Sequence, residues 1–229
     1  MDEKTNKRNI CFPKSLFLLF VTVFIFVEIV EMFPFGTTRC AADSSSGNIG
    51  GEKVRAAIVA GQFYPGSKEA LLRELDSFYE QALLPKLDGN VRGIIVPHAG
   101  YVYSGQVAAY GYKLLDPKLK RFFILAANHT SGVPQFKFSL SDATHFETPL
   151  GKVRVSPIAS ELMKRDDAFQ NIPRAQASHI IEVQLPFLQK RYGDFEIIPI
   201  VTGYFGKDDI ERAAELIAPY IDSEAAIIV

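Results

Sequence analysis

The chain of 229 residues lacks several features that mark familiar classes of protein. Its two cysteines, Cys11 and Cys40, are too few for a disulfide scaffold or a four-thiolate zinc site. The 25 lysines and arginines nearly balance the 26 aspartates and glutamates, so the net charge of −1 gives no electrostatic reason to expect nucleic acid as a partner. The sequence also has no phosphate-binding loop, no Gly-x-Ser-x-Gly and no His-Glu-x-x-His motif, so serine hydrolysis lacks support.

The longest apolar run lies near the N-terminus. Basic residues up to Lys14 precede the uncharged residues 15–27, and small residues follow at 40–42. This order of basic, apolar and small residues is typical of a secretory signal peptide. An uncleaved membrane anchor over residues 15–35 is one alternative, although its two glutamates would cost about 2–3 kcal/mol each at the bilayer centre. A buried helix of the folded domain is the other alternative.

These observations divide the chain into three parts. We expect residues 1–42 to form the signal peptide or anchor, residues 43–54 a linker, and residues 55–229 the folded domain. Both cysteines belong to the first part, so the folded part needs no particular redox compartment. The predicted location is periplasmic, extracellular or membrane-anchored, with membrane contact only through the N-terminal segment.

Apolar runs alternate with amphipathic helical patterns along the folded part. Buried strands are predicted at 91–96, 121–127, 195–201 and 225–229, shorter strands at 137–141 and 151–155, and helices over 67–85, 104–115, 157–165, 179–192 and 207–221. This alternation predicts an α/β fold with a mainly parallel central sheet and helices on both faces.

Two histidines directly follow predicted strands. His98 comes after the strand at 91–96, and His129 comes after the strand at 121–127. Because ligands of open parallel sheets lie beyond the carboxyl ends of the strands, both imidazoles are candidate site residues. If the two strands are neighbours, they lie about 4.8 Å apart and the imidazoles can share one metal ion. The alternative is that each histidine binds a backbone carbonyl at a strand end.

Five other residues are weaker candidates. His179 and Glu182 are three residues apart, so on a helix they share a face, and Glu182 could orient or protonate the imidazole as part of a catalytic pair. The alternative for this pair is a polar helix start with a capping glutamate. Tyr101 and Tyr103 follow His98 and could supply substrate-binding hydroxyls or pack as core aromatics. Asn128 precedes His129 and is a further candidate for binding substrate.

Several blocks of this sequence resemble the Memo family, whose bacterial members are called AmmeMemoRadiSam system protein B. The blocks occur in order over about residues 55–229: AGQFYP at 60–65, PHAGY at 97–101, LAANH at 125–129, TPLG at 148–151, HIIEVQLPF at 179–187 and IIPI at 197–200. The resemblance implies a fold related to the class III extradiol dioxygenases. It also implies that His98 and His129 are metal ligands, with iron or copper as the metal.

The resemblance implies metal-dependent oxidoreductase or dioxygenase-like chemistry. Because a shared fold does not establish a shared reaction, a non-catalytic module that binds a peptide or small molecule is an alternative, and metal-assisted hydrolysis by a water held between His98, His129 and an acid is another. A radical-SAM-system protein is the partner that the bacterial name suggests. In the family, the strand matching 225–229 leads into a Ser-Asp-Phe-x-His stretch, and a later cysteine supplies the third metal ligand. This sequence stops at Val229, so we expect a domain that is incomplete at its C-terminal end.

Overall fold

Nine strands form one sheet within residues 51–229, the part of the chain that the computed structural model describes. They are β1 (Val54–Arg55), β2 (Gly93–Ile94), β3 (Arg121–Ala127), β4 (Phe138–Leu140), β5 (His145–Thr148), β6 (Gly151–Val155), β7 (Phe169–Gln170), β8 (Glu196–Thr202) and β9 (Ala225–Ile228). The order across the sheet is β1-β5-β6-β8-β3-β9-β2, and β4 joins both β8 and β7. Only the β5–β6 and β4–β8 pairs are antiparallel among these strands. The predicted α/β fold with a mainly parallel sheet is therefore confirmed.

The helices alternate with these strands along the chain. They are α1 (Lys68–Gln81), α2 (Tyr101–Leu114), α3 (Ile158–Arg165), α4 (Pro173–Gln176), α5 (His179–Glu182), α6 (Leu185–Arg191) and α7 (Lys207–Ile217), which a 3-10 turn at Ala218–Tyr220 extends. Ser67 begins α1, because its hydroxyl accepts a hydrogen bond from the amide of Ala70. Pro186 lies in the first turn of α6, where its missing N–H costs nothing. The helix predicted over 179–192 is consequently two helices.

The centre of the sheet is buried on both faces. In β3 and β8 every residue after the first is buried, and the two strands pair in parallel from Arg121 with Glu196 to Ala127 with Thr202. All four residues of β9 are buried as well. Such continuous apolar strands are the signature of a parallel sheet covered by helices, and here they hold the carboxyl ends of the strands in fixed positions.

Two element boundaries differ from the sequence prediction in ways that affect the site. The helix predicted from 104 begins at Tyr101, because the amides of Tyr103 and Ser104 already bond the carbonyl of Gly100. The strand predicted over 91–96 is reduced to Gly93–Ile94, which pairs with β9 alone among the described strands. Tyr101 and Tyr103 therefore lie in the first turn of a helix and not in a loop.

The predicted signal peptide or anchor at residues 1–42 lies outside the described residues, as does the linker up to residue 50. Val54, which the sequence places in the linker, belongs to β1 and pairs with His145. Across residues 51–229, no helix combines the length and apolarity needed to cross a membrane.

Candidate functional site

The imidazoles of His98 and His129 meet at the carboxyl edge of the sheet. Their Nε2 atoms are 3.1 Å apart, and their ring centroids are 5.2 Å apart. The strands that carry them are not neighbours, because β9 lies between β2 and β3. Two strand spacings, about 9.6 Å, separate those strands. The condition of adjacent strands is therefore not met, and the two rings approach each other across the width of the intervening strand.

His179 adds a third imidazole to this edge. Its ring centroid lies 6.2 Å from those of His98 and His129, and 4.7 Å from the ring of Phe63. Partial burial lowers the pKa of His179, and the nearby His129 lowers it further because two imidazolium charges would repel. The neutral imidazole, with a free lone pair for a proton or an ion, is therefore favoured. Three of the chain's four histidines are brought together here.

Glu182 is fully buried and does not bond the imidazole of His179. Its carboxylate instead accepts hydrogen bonds from four groups of the segment 55–64: the Arg55 guanidinium at 2.7 Å, the Tyr64 hydroxyl at 2.7 Å, the amide of Ile58 at 2.9 Å and the amide of Val59 at 3.0 Å. Arg55 also donates to the carbonyls of Gln176 and Ser178, just before α5. The ion pair of Arg55 and Glu182 therefore links β1 to α5, the short helix that carries His179.

Local hydrogen bonds hold the His98 and His129 segments in place. The side chain of Asn128 accepts from the amide of Thr130 at 3.0 Å and donates to its carbonyl at 3.2 Å, which closes a tight turn around His129. On the other side, Gln184 donates to the carbonyl of Pro97 at 3.2 Å, directly before His98. Asn128 and Gln184 thus position the two loops that carry the facing imidazoles.

The two candidate tyrosines occupy opposite environments. Tyr101 is only 3% exposed, and its hydroxyl donates to the carbonyl of Val183 at 2.8 Å, so the alternative of a packed aromatic describes it better than a pocket hydroxyl. Tyr103, in the same first turn of α2, is 85% exposed. Its hydroxyl is open to solvent, and its role in binding a substrate stays a prediction.

Sequence reasoning missed three supporting residues: Arg55, Tyr64 and Gln184. Tyr64 and Gln184 both lie in blocks that carry the family resemblance, which was the signal available in the sequence, and the structure shows that both are buried. Arg55 gave no such signal, because its partner Glu182 is 127 positions away in the chain.

The chemistry of the two facing imidazoles suits a metal ion. Metal–nitrogen bonds of about 2.0–2.1 Å place neighbouring nitrogen ligands of one ion roughly 3 Å apart, close to the observed separation of 3.1 Å. In residues 51–229, no set of three or more His, Cys, Asp or Glu side chains is arranged to hold an ion. Among the described side chains, His98 and His129 are the two that would ligate such an ion.

The fold and this edge define an α/β protein with an imidazole cluster beyond the ends of its parallel strands. A family model described as "Memo-like protein" matches residues 55–229. The chain belongs to this family.

Curated relatives carry the same family name. A "MEMO1 family protein" of Pyrobaculum arsenaticum is 38% identical over 164 residues, which cover 66% of this chain and 56% of the relative. Those of Caldivirga maquilingensis and Methanosarcina barkeri are 36% identical over 188 residues and 39% identical over 167 residues. These two matches cover 76% and 72% of this chain and 65% and 60% of the relatives. The chain thus spans between about half and two thirds of their length.

Proposed function

We propose that this protein binds a transition-metal ion through His98 and His129 and takes part in metal-dependent redox chemistry of the oxidoreductase or dioxygenase-like kind. The observation that carries this proposal is the 3.1 Å separation of the two Nε2 atoms across an intervening strand. Imidazole suits both iron and copper. Bound there, such an ion would supply electron transfer and a Lewis-acidic position for a chelating substrate.

The surrounding residues have distinct roles in this proposal. His179 faces both ligand imidazoles from a half-buried position and holds or accepts a proton at the edge of the site. Gln184 and Asn128 hold the loops of His98 and His129 in position through hydrogen bonds to the backbone. Tyr103, which is exposed beside His98 along the chain, is the remaining candidate for contact with a substrate. Glu182 acts through α5, so it is a positioning residue and does not exchange protons with the substrate.

Metal binding by the full chain tests this proposal. The protein is loaded with iron(II) or copper(II), passed through a desalting column and analysed for bound metal by mass spectrometry, and its oxygen consumption is followed in parallel. We expect His98→Ala and His129→Ala each to lower the bound metal at least tenfold. His145→Ala is the matched control, because this fourth histidine lies in β5 beside Glu52 and Thr144. Metal content unchanged in both site variants, or lowered equally in the control, would overturn the proposal.

The same two histidine variants distinguish the metal-dependent function from a second candidate function, that of a non-catalytic binding module. The exposed phenol of Tyr103 beside the histidine loop favours it, since such a ring offers stacking area to a peptide or small molecule. A module of this kind would bind its ligand equally well in the His98→Ala and His129→Ala variants. We further propose that the protein is related to the extradiol dioxygenases and to the bacterial proteins called AmmeMemoRadiSam system protein B. Its proposed partner is a radical-SAM-system protein. We also propose that residues 1–42 export the protein or anchor it to a membrane.

A further inference from the structure

Tyr64 differs from the other buried tyrosines of residues 51–229 in the group that its hydroxyl faces. Its side chain is 3% exposed, and its hydroxyl donates to the Oε1 atom of Glu182 at 2.7 Å. The other buried tyrosines donate to neutral carbonyl oxygens, namely Tyr101 to Val183, Tyr112 to the side chain of Gln184, and Tyr192 to Asp116. Tyr64 is therefore the buried phenol with a charged base at hydrogen-bond distance.

This pairing determines how the phenol would respond to oxidation. Loss of one electron makes a phenol strongly acidic, so a stable neutral radical requires a base that takes the proton in place. At Tyr64 the O–H bond breaks, the electron leaves to the oxidant and the proton moves to Oε1 of Glu182. The products are a phenoxyl radical and a neutral carboxylic acid. The Arg55 guanidinium keeps the carbonyls of Gln176 and Ser178 as acceptors after its partner carboxylate is neutralised.

Tyr64 also lies within a short chain of contacts from the imidazole cluster. The neighbouring ring of Phe63 contacts His179 at 4.7 Å, and Glu182 is one helical turn from the same histidine. On its other side, the Tyr64 ring lies 5.5 Å from the ring of Tyr101 in the core. Tyr64 is therefore linked to the imidazole cluster through its hydrogen bond to Glu182 in α5, the helix that also carries His179, and the residue before it in the chain, Phe63, contacts His179 directly.

We propose that Tyr64 is a one-electron redox relay, with Glu182 as the acceptor of its proton. The relay rests on the proposed function in one respect, since an oxidised iron or copper ion held by His98 and His129 would act as its oxidant. Because the Tyr64 side chain is only 3% exposed, its phenoxyl radical is shielded from the coupling reactions that consume radicals of exposed phenols.

The relay is tested in the full chain without any metal. Photogenerated tris(bipyridine)ruthenium(III), with a cobalt(III) ammine as electron acceptor, oxidises tyrosines one electron at a time, and electron paramagnetic resonance detects the radicals. The chain has nine tyrosines and no tryptophan, so no indole radical competes. Exposed phenols such as Tyr103 and Tyr204 give radicals that decay quickly by coupling. We expect a second component that decays at least tenfold more slowly, with a deuteron coupling after exchange into heavy water.

Paired variants assign that slow component to one residue. Tyr64→Phe should remove it, and Tyr220→Phe should leave it unchanged. Tyr220 is the matched control, because its hydroxyl also donates to a carboxylate, that of Glu161 at 3.0 Å, but near the surface. A slow component that survives Tyr64→Phe, that is missing from the wild-type protein, or that lacks the deuteron coupling would overturn the proposal. If Tyr64→Phe does not fold, 3-fluorotyrosine at position 64 gives the same decision, since fluorine splitting must mark the slow radical.

The two proposals fail in different ways. If the slow radical is missing but the protein binds metal normally, the relay proposal is overturned and the metal-binding proposal still stands. Loss of the metal proposal would leave the photochemical radical at Tyr64 unaffected, because His98→Ala changes neither Tyr64 nor Glu182.

Discussion

Replacement of Glu182 by glutamine probes the buried ion pair that supports α5. The Oε2 atom receives the Arg55 guanidinium and the amide of Ile58, while Oε1 receives the Tyr64 hydroxyl and the amide of Val59. Glutamine can retain one oxygen at the Oε1 position. Its NH₂ group then faces the two donors that Oε2 had accepted. Arg55 loses its carboxylate acceptor and its counter-charge, while the amide of Ile58 keeps only its longer contact of 3.1 Å to the Oε1 position.

The expected loss of stability follows from this contact set. Removing one partner of a buried ion pair costs about 3–5 kcal/mol. The Arg55 side chain is 11% exposed and keeps two carbonyl acceptors, so we expect the lower end, about 3 kcal/mol. With a urea dependence of about 2 kcal/mol per molar, the unfolding midpoint falls by roughly 1.5 M. Circular dichroism during urea unfolding measures this shift.

The matched control for this prediction is Glu161→Gln. Glu161 accepts one hydrogen bond, from the hydroxyl of Tyr220 near the surface, so its replacement should move the midpoint by no more than about 0.3 M. If Glu182→Gln unfolds at the same urea concentration as the control, the carboxylate is not the anchor of α5 and the reasoning is refuted.

Three further variants test other parts of the structure. Gly105→Ala should lower stability by about 1–3 kcal/mol in thermal unfolding, because the added Cβ would lie 2.4 Å from the Phe78 ring unless α1 and α2 separate. Ser67→Ala removes the cap of α1 and should cost about 1 kcal/mol, measured in the same way. For Asp166→Asn the effect depends on pH: the amide of Ala168 and the guanidinium of Arg212 lower the pKa of Asp166. The stabilising contribution of the Asp166 carboxylate is therefore present above the unfolded pKa of about 3.9 and is lost as the pH falls through the lowered folded pKa, so the difference in stability between the two proteins should be full at pH 7 and shrink as the solution is acidified below the unfolded pKa. A difference that persists at low pH would contradict this assignment.

Local sequence patterns predicted elements wherever the determining contacts are local. The apolar run 121–127 is β3 with the same bounds, and Ser67 begins α1 as expected from its capping hydroxyl. The start of α2 was missed because Gly100 offers no capping side chain. The position of β9 between β2 and β3 was also missed, because strand order depends on how distant segments cross over and leaves no mark in the run of residues 225–229.

The candidate site was predictable in its location and only partly in its support. The position of His98 and His129 after apolar strands indicated the carboxyl edge of the sheet, and the rings meet there at 3.1 Å. Glu182 was assigned to its helical neighbour because helical spacing is visible in sequence. Its actual partners lie 118 to 127 positions away, in the segment around Tyr64. Partners at such separations follow from the tertiary fold and from no local rule.

The three imidazoles depend on one short stretch of chain, residues 176–184. The carbonyls of Gln176 and Ser178 and the carboxylate of Glu182 all bind Arg55, which fixes the helix of His179 against β1. Two residues beyond Glu182, Gln184 holds the loop of His98 through the carbonyl of Pro97. The stretch therefore joins the segment that follows β2 to the opposite edge strand of the sheet. Because buried hydrogen bonds leave little room for adjustment, a substitution that shifts α5 should change the spacing of His98, His129 and His179 together, even though no bond of α5 itself reaches His129.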